Sequence, residues 1–190
     1  MMKVHKYETL YPRVLWVVNC SKEHPCDLEK KFTFFKNTYG WKEINKDVAD
    51  ELDNAAFTAI AGCYVVEEKS TGRLGILLII FQIDEMDASL IAHESVHIAD
   101  YFYEVCGCNS EDFTDGNEAY AYLVGWVAGC VANVLIKEKM DEYIKDCLKP
   151  LWHFHCLDSM PFDPEFVNSI LMYIATRDNR LTFLMYGTTE

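Results

Sequence analysis

Basic residues are scarce in this 190-residue chain: 17 lysines and arginines stand against 30 aspartates and glutamates, giving a net charge of -13. That balance argues against nucleic acid and anionic membranes as partners and leaves solubility, or a basic substrate. No CxxC pair and no regular framework occurs among the eight cysteines, Cys20, Cys26, Cys63, Cys106, Cys108, Cys130, Cys147 and Cys156. The N-terminus Met1-Met2-Lys3-Val4-His5-Lys6 lacks an apolar signal core. Both absences point to a reducing cytoplasm and free thiols. Repeats, low-complexity tracts and linkers are also missing, so a single domain over residues 1-190 is expected. The 51% apolar content supplies its core, and a chain of this length buries about 70% of its unfolded surface.

Against that plain background one pentapeptide carries chemistry, His93-Glu94-Ser95-Val96-His97. Residues four apart on a helix lie one turn apart on the same face, so His93 and His97 can reach one ion. Glu94 sits about 100° round the helix from His93, where it can contact water beside the metal without ligating. The surrounding pattern supports a helix. Gly75-Ile76-Leu77-Leu78-Ile79-Ile80-Phe81-Gln82-Ile83 reads as a buried strand, Asp84 or Asp87 as a cap, and Leu90 onward as an amphipathic helix. Ile91, Ser95, Ile98, Phe102 and Val105 make its core stripe, while His93, His97 and Asp100 share another face. Glu94 and His97 also satisfy the ExxH pattern of di-iron bundles, but no second ExxH occurs, which leaves a mononuclear site.

Two histidines leave an ion under-coordinated, since a catalytic zinc takes three protein ligands plus water. The candidates that follow are Asp100, Glu104, Glu111, Asp112, Asp115 and Glu118. Glu104 lies two turns beyond His97, about 10 Å along the axis, and cannot share the ion. Asp100, one turn on, suits an orienting role through the imidazole nitrogen that does not bind metal, or is an ordinary solvated carboxylate. Glu118 is the better ligand: Gly107 can end the first helix, a polar loop can reverse the chain, and a helix starting near Gly116 can return alongside. Its alternative is a capping role within Asp115-Gly116-Asn117-Glu118. Tyr120 and Tyr122 point to different faces, so at most one approaches the ion, with packing against the neighbouring helix as their other role.

His93-Glu94-x-x-His97 followed by Asn117-Glu118-Ala119-Tyr120-Ala121-Tyr122 resembles the gluzincin arrangement of zinc metallopeptidases. More narrowly, Ile91 to Asp100 with Asn117 to Trp126 is similar to small zincin-like proteins of phages and gut bacteria. The resemblance covers roughly residues 64 to 136. It implies one Zn2+ per chain bound by His93, His97 and Glu118, with Glu94 as general base, and an exposed sheet edge able to hold an extended peptide by strand addition. Two features of larger family members have no evident counterpart here: a long insert forming a second catalytic lobe, and the His or Tyr that helps stabilise the oxyanion, for which Tyr120 and Tyr122 are stand-ins.

Elsewhere, Arg13 to Cys20 reads as a strand, and Ser21 to Asp53 as polar, mixed and loop-rich with room for one helix. Cys63 to Glu68 and Gly75 to Ile83 flank a hairpin turn at Lys69-Ser70-Thr71-Gly72-Arg73. Ala119 to Ile136 is almost wholly apolar and approaches a membrane span in length. Gly125, Ala128, Gly129 and Ala132 on one face fit close contact with another helix, which favours a core helix. Cys106 and Cys108 flank the turn after the HExxH helix and suit structure better than a second metal. Past Met140, Asp141 to Pro150 continues helix-like, a helix is expected from Asp163-Pro164-Glu165 through Ala175, and Leu181 to Tyr186 fits a short strand or tail. His153 and His155 fit packing or surface roles.

The expectation is therefore an α+β minimal zincin-like domain, with a small mostly antiparallel sheet packed on an HExxH helix and a second glutamate-bearing helix. Residues 1-86 form the strand and loop part, 87-140 the metal-site helices and 141-190 an accessory segment. The expected function is cleavage of peptide or protein substrates by zinc-activated water. The rival is a non-catalytic zinc-binding interaction protein on a degenerate zincin fold.

Overall fold

The computed structural model describes residues 2–36, 44–108 and 117–152, with side chains in the last stretch through Asp141. The chain divides into two compact units, Met1–Glu142 and Tyr143–Glu190. The first holds all the strands among the described residues; of the second, 143–152 are helical. His153, His155, the helix expected from Asp163, and Glu111, Asp112 and Asp115 lie outside the described residues.

Of the run Gly75 to Ile83 expected to be a buried strand, Gly75 to Ile80 lie in β5 (Arg73–Ile80), in the middle of a mixed sheet, whereas Ile83 opens a 3₁₀ turn. With β1 (Val4–Glu8), β2 (Val14–Asn19), β3 (Phe32–Phe34) and β4 (Ala61–Glu68), the order is β1-β2-β5-β4-β3. Three pairings are antiparallel and one, β2 with β5, is parallel. Ile76 to Ile80 are all 1% exposed or less, because both faces of β5 are covered, and each such side chain contributes about 1.5–3 kcal/mol of burial. Leu15, Val17, Ile76, Leu78 and Ile80 face one layer. Val14, Trp16, Val18, Leu77 and Ile79 face the other. Gly75 is required where the central strands meet: a Cβ there would lie 2.0 Å from the Val14 carbonyl oxygen and 2.6 Å from the Trp16 ring.

The second face is covered by a 3₁₀ turn (Pro25–Lys30) and by α1 (Val48–Thr58), whose Val48 and Leu52 are buried one turn apart. β3 lies in a stretch expected to be loop; its three residues are too few to show alternation in a polar context. On the first face lie α2 (Ala88–Cys106) and, through Leu123 to Leu135, the N-terminal part of α3 (Glu118–Trp152). Of the two cap candidates, Asp87 is the N-cap, its carboxylate accepting from the Leu90 amide at 2.9 Å. Gly107 closes the helix at φ 66°, with the Gly107 and Cys108 amides donating to the Glu104 and Tyr103 carbonyls.

α3 packs through Leu123, Val127, Cys130, Val131, Val134 and Leu135. Its small-residue face does otherwise than expected: Gly125 and Gly129 are exposed, and a Cβ on either meets nothing within 4 Å. The bulkier stripe wins the sheet because it removes more apolar surface from water. Glu118–Asp141 is long and apolar enough to cross a membrane by length and composition alone, and a third of that window is buried against the fold.

Candidate metal centre

Helical spacing and packing together fix the HExxH group. Ser95, Ile98 and Phe102 are fully buried in the core stripe of α2, which turns His93, His97 and Asp100 outward. The two imidazoles stand edge to face with centroids 4.6 Å apart. Their Nε2 atoms approach to 3.1 Å. Two nitrogens at 2.0–2.1 Å from a tetrahedral zinc would be about 3.3 Å apart, so the pair is set at nearly the spacing one ion requires. The same distance suits one neutral imidazole donating to the other.

Glu94 takes the opposite disposition and is only 8% exposed. Its Oε2 accepts from the Cys63 thiol of β4 at 3.1 Å. Burial pushes the Cys63 thiol well above its ordinary value, and the Glu94 charge and hydrogen bond add to it, so this sulfur is a neutral donor. Tyr64 beside it is raised to about 12, by burial first and then by Glu51, Cys63 and Glu94. Sequence reasoning missed Cys63 as a partner of Glu94, since nothing local joins residues 31 apart.

The expected return of a second helix is present. Asn117 turns the chain at φ 54° and Glu118 is the first residue of α3. Tyr120 ties that turn to α2: its hydroxyl donates to Asp100 Oδ1 at 2.5 Å and its ring meets Tyr103 at 5.1 Å. Burial and then the Asp100 contact raise the Tyr120 hydroxyl above its ordinary value, keeping it protonated. Tyr120 is thus a half-buried packing group and Asp100 its acceptor, while Tyr122 is 74% exposed. Glu118 is exposed. Among the described residues no third His, Cys, Asp or Glu brings a ligand atom within 4.8 Å of both imidazole nitrogens.

Such a threefold grouping occurs instead at His24, Cys26 and Asp53, whose ligand atoms all lie within 4.8 Å of one another. This cluster could hold a metal ion. Its sequence signal is weak, because His24 and Cys26 are two apart but Asp53 is 27 residues beyond Cys26. The six cysteines with described side chains, Cys20, Cys26, Cys63, Cys106, Cys108 and Cys130, are free thiols.

No protein-family model matches the sequence, and no curated protein or solved structure matches it.

Proposed function

We propose that the chain is a zinc-dependent peptidase of the zincin type, with His93 and His97 as ligands, Glu118 as the third, and Glu94 as general base. The observation that carries this reading is the 3.1 Å approach of the two Nε2 atoms on an exposed helix face, close to the spacing of two ligands on one zinc. The donor set, two neutral imidazoles and a carboxylate, suits zinc. Glu118, exposed at the start of α3, is the residue that would complete it, and Tyr120 ties that first turn to α2.

When bound there, zinc supplies Lewis-acid polarisation of the scissile carbonyl and lowers the pKa of water toward about 7. Glu94 takes the proton of the attacking water and returns it to the leaving amine. The Cys63 thiol holds Oε2, which leaves Oε1 for that exchange. A peptide substrate is supported by β4: β3 pairs only with Val66–Glu68, so Ala61 to Tyr64 have no strand on that side among the described residues. An extended chain added there would run past Cys63 and the motif helix.

A second reading, a non-catalytic zinc-binding protein, is favoured by the burial of Glu94 against Cys63, which gives the carboxylate a structural partner. Zinc stoichiometry by plasma mass spectrometry on untagged protein, beside His93→Ala and Glu118→Ala, is the first test. Loss of one zinc per chain in both variants supports the three-ligand site; unchanged zinc in His93→Ala overturns it. A peptide-library screen on zinc-loaded protein and Glu94→Gln then separates the readings, since only a peptidase gives cleavage that the variant loses.

A further inference from the structure

We infer that His24, Cys26 and Asp53 form a second metal site, on the face of the sheet opposite the HExxH helix, taking a zinc-like divalent transition ion through one nitrogen, one sulfur and one oxygen. The Cys26 Sγ stands 3.1 Å from Asp53 Oδ1, and His24 Nδ1 stands 3.5 Å from the same oxygen. Ligands of one tetrahedral zinc are separated by about 3.4 Å for nitrogen and oxygen and about 3.6 Å for sulfur and oxygen, from bond lengths of roughly 2.0–2.3 Å. Asp53 Oδ1 therefore stands at close to coordination spacing from both other donors, and all three ligand atoms lie within 4.8 Å of one another.

Their placement comes from rigid elements. Pro25 separates the two N-terminal donors, is buried, and opens the 3₁₀ turn with His24 held extended before it. Leu28 of the same turn and Leu52, adjacent to Asp53 on α1, are both essentially inaccessible to water. The turn and the helix are thus fixed against each other through the core, and Cys26 Sγ also reaches the Ala49 carbonyl of α1 at 3.6 Å. A site spanning these elements leaves a coordination position open toward solvent, because His24 is exposed and Cys26 and Asp53 are partly so.

The chemistry favours an ion over a cysteine nucleophile. A nucleophile would need its thiol paired with the imidazole as base. Here the thiol is directed at a carboxylate, whose negative charge opposes a free thiolate. A divalent cation reverses that opposition: it replaces the thiol proton, which leaves to solvent, and balances both negative ligands. Sulfur, imidazole and carboxylate together match a borderline ion such as zinc and not calcium or magnesium, which prefer oxygen donors.

The site is separable from the HExxH centre by its thiolate. Reduced, metal-stripped full-length protein is titrated with Co2+ and followed by the thiolate-to-cobalt charge-transfer absorption in the near ultraviolet. The band is expected in the wild type, in His93→Ala/His97→Ala and in Cys63→Ser, to be absent in Cys26→Ser, and to be bleached by added zinc. His24→Ala and Asp53→Asn should weaken cobalt binding by about tenfold or more, the loss that even outer partners of metal ligands produce. His24 is exposed, so its truncation leaves the fold intact and keeps the test meaningful should Cys26→Ser unfold. No band in the wild type, a band that persists in folded Cys26→Ser, or unchanged affinity in His24→Ala overturns the site. Failure of the HExxH centre alone leaves the band in place.

Discussion

Replacing Glu94 by glutamine separates what that carboxylate does for the fold from what it does for chemistry. The side chain is 8% exposed and accepts the Cys63 thiol at 3.1 Å. Glutamine has the same shape, so no cavity forms, and its carbonyl oxygen can accept the same thiol. A hydrogen bond to a charged acceptor is worth about 1.5–3 kcal/mol and one to a neutral acceptor about 0.5–1.5, so about 1 kcal/mol is lost. Relief of the buried charge's desolvation offsets it by a similar amount. Net stability should stay within about 1 kcal/mol of the wild type, a shift in midpoint of at most roughly 2–4 °C for a chain of this size. Removal of a general base should cut turnover by about 10²–10⁴, or roughly 3–5.5 kcal/mol of barrier. The assay is a pair of measurements on one preparation: thermal unfolding of metal-free protein, and cleavage by zinc-loaded protein of the best peptide from a library. Cleavage within a few-fold of the wild type would refute the base. A fall in midpoint well beyond about 4 °C would show that the carboxylate serves mainly to hold β4 and α2 together.

Gly75→Ala should be destabilising by about 3 kcal/mol or more, because its Cβ would sit 2.0 Å from the Val14 carbonyl oxygen and 2.6 Å from Trp16; urea unfolding checks this, and a near-neutral result would mean that β2 and β5 do not meet in this register. Gly125→Ala and Gly129→Ala should each stabilise by about 0.5–1 kcal/mol, since both face open space on a helix; a loss of stability in either would reveal that this face is pressed against something. Stability should fall above pH 9: burial pushes the Cys20 and Cys130 thiols from 9.0 to about 12 and about 11, so the fold keeps protons that the unfolded chain releases. Their contribution is full below pH 9 and declines by about 1.4 kcal/mol per pH unit per thiol as pH climbs toward the folded values. Cys20→Ala/Cys130→Ala should flatten that alkaline slope in urea unfolding, and an unchanged slope would exclude these thiols as its cause.

Local pattern alone determined the elements that surround the HExxH group. The apolar run of β5, the hairpin to β4, a cap at Asp84 or Asp87, the stop at Gly107 and the outward face of His93, His97 and Asp100 all depend on neighbours within about two turns or one hairpin. Two-faced burial of β5 was readable too, because continuous rather than alternating hydrophobicity means cover on both sides. What only the tertiary structure decided are the meetings between distant residues. The parallel pairing of β2 with β5 leaves no mark in either strand's own sequence. Cys63 reaches Glu94 across 31 residues, and Cys26 reaches Asp53 across 27. Nor does periodicity reveal which stripe of an almost uniformly apolar helix faces the sheet; in α3 the competition between bulky and small side chains settles it, and Gly125 and Gly129 are left outside. Hydrophobic period and turn chemistry act over a few residues, whereas ligand sets and packing partners are chosen when loops close and the whole core competes for the same space.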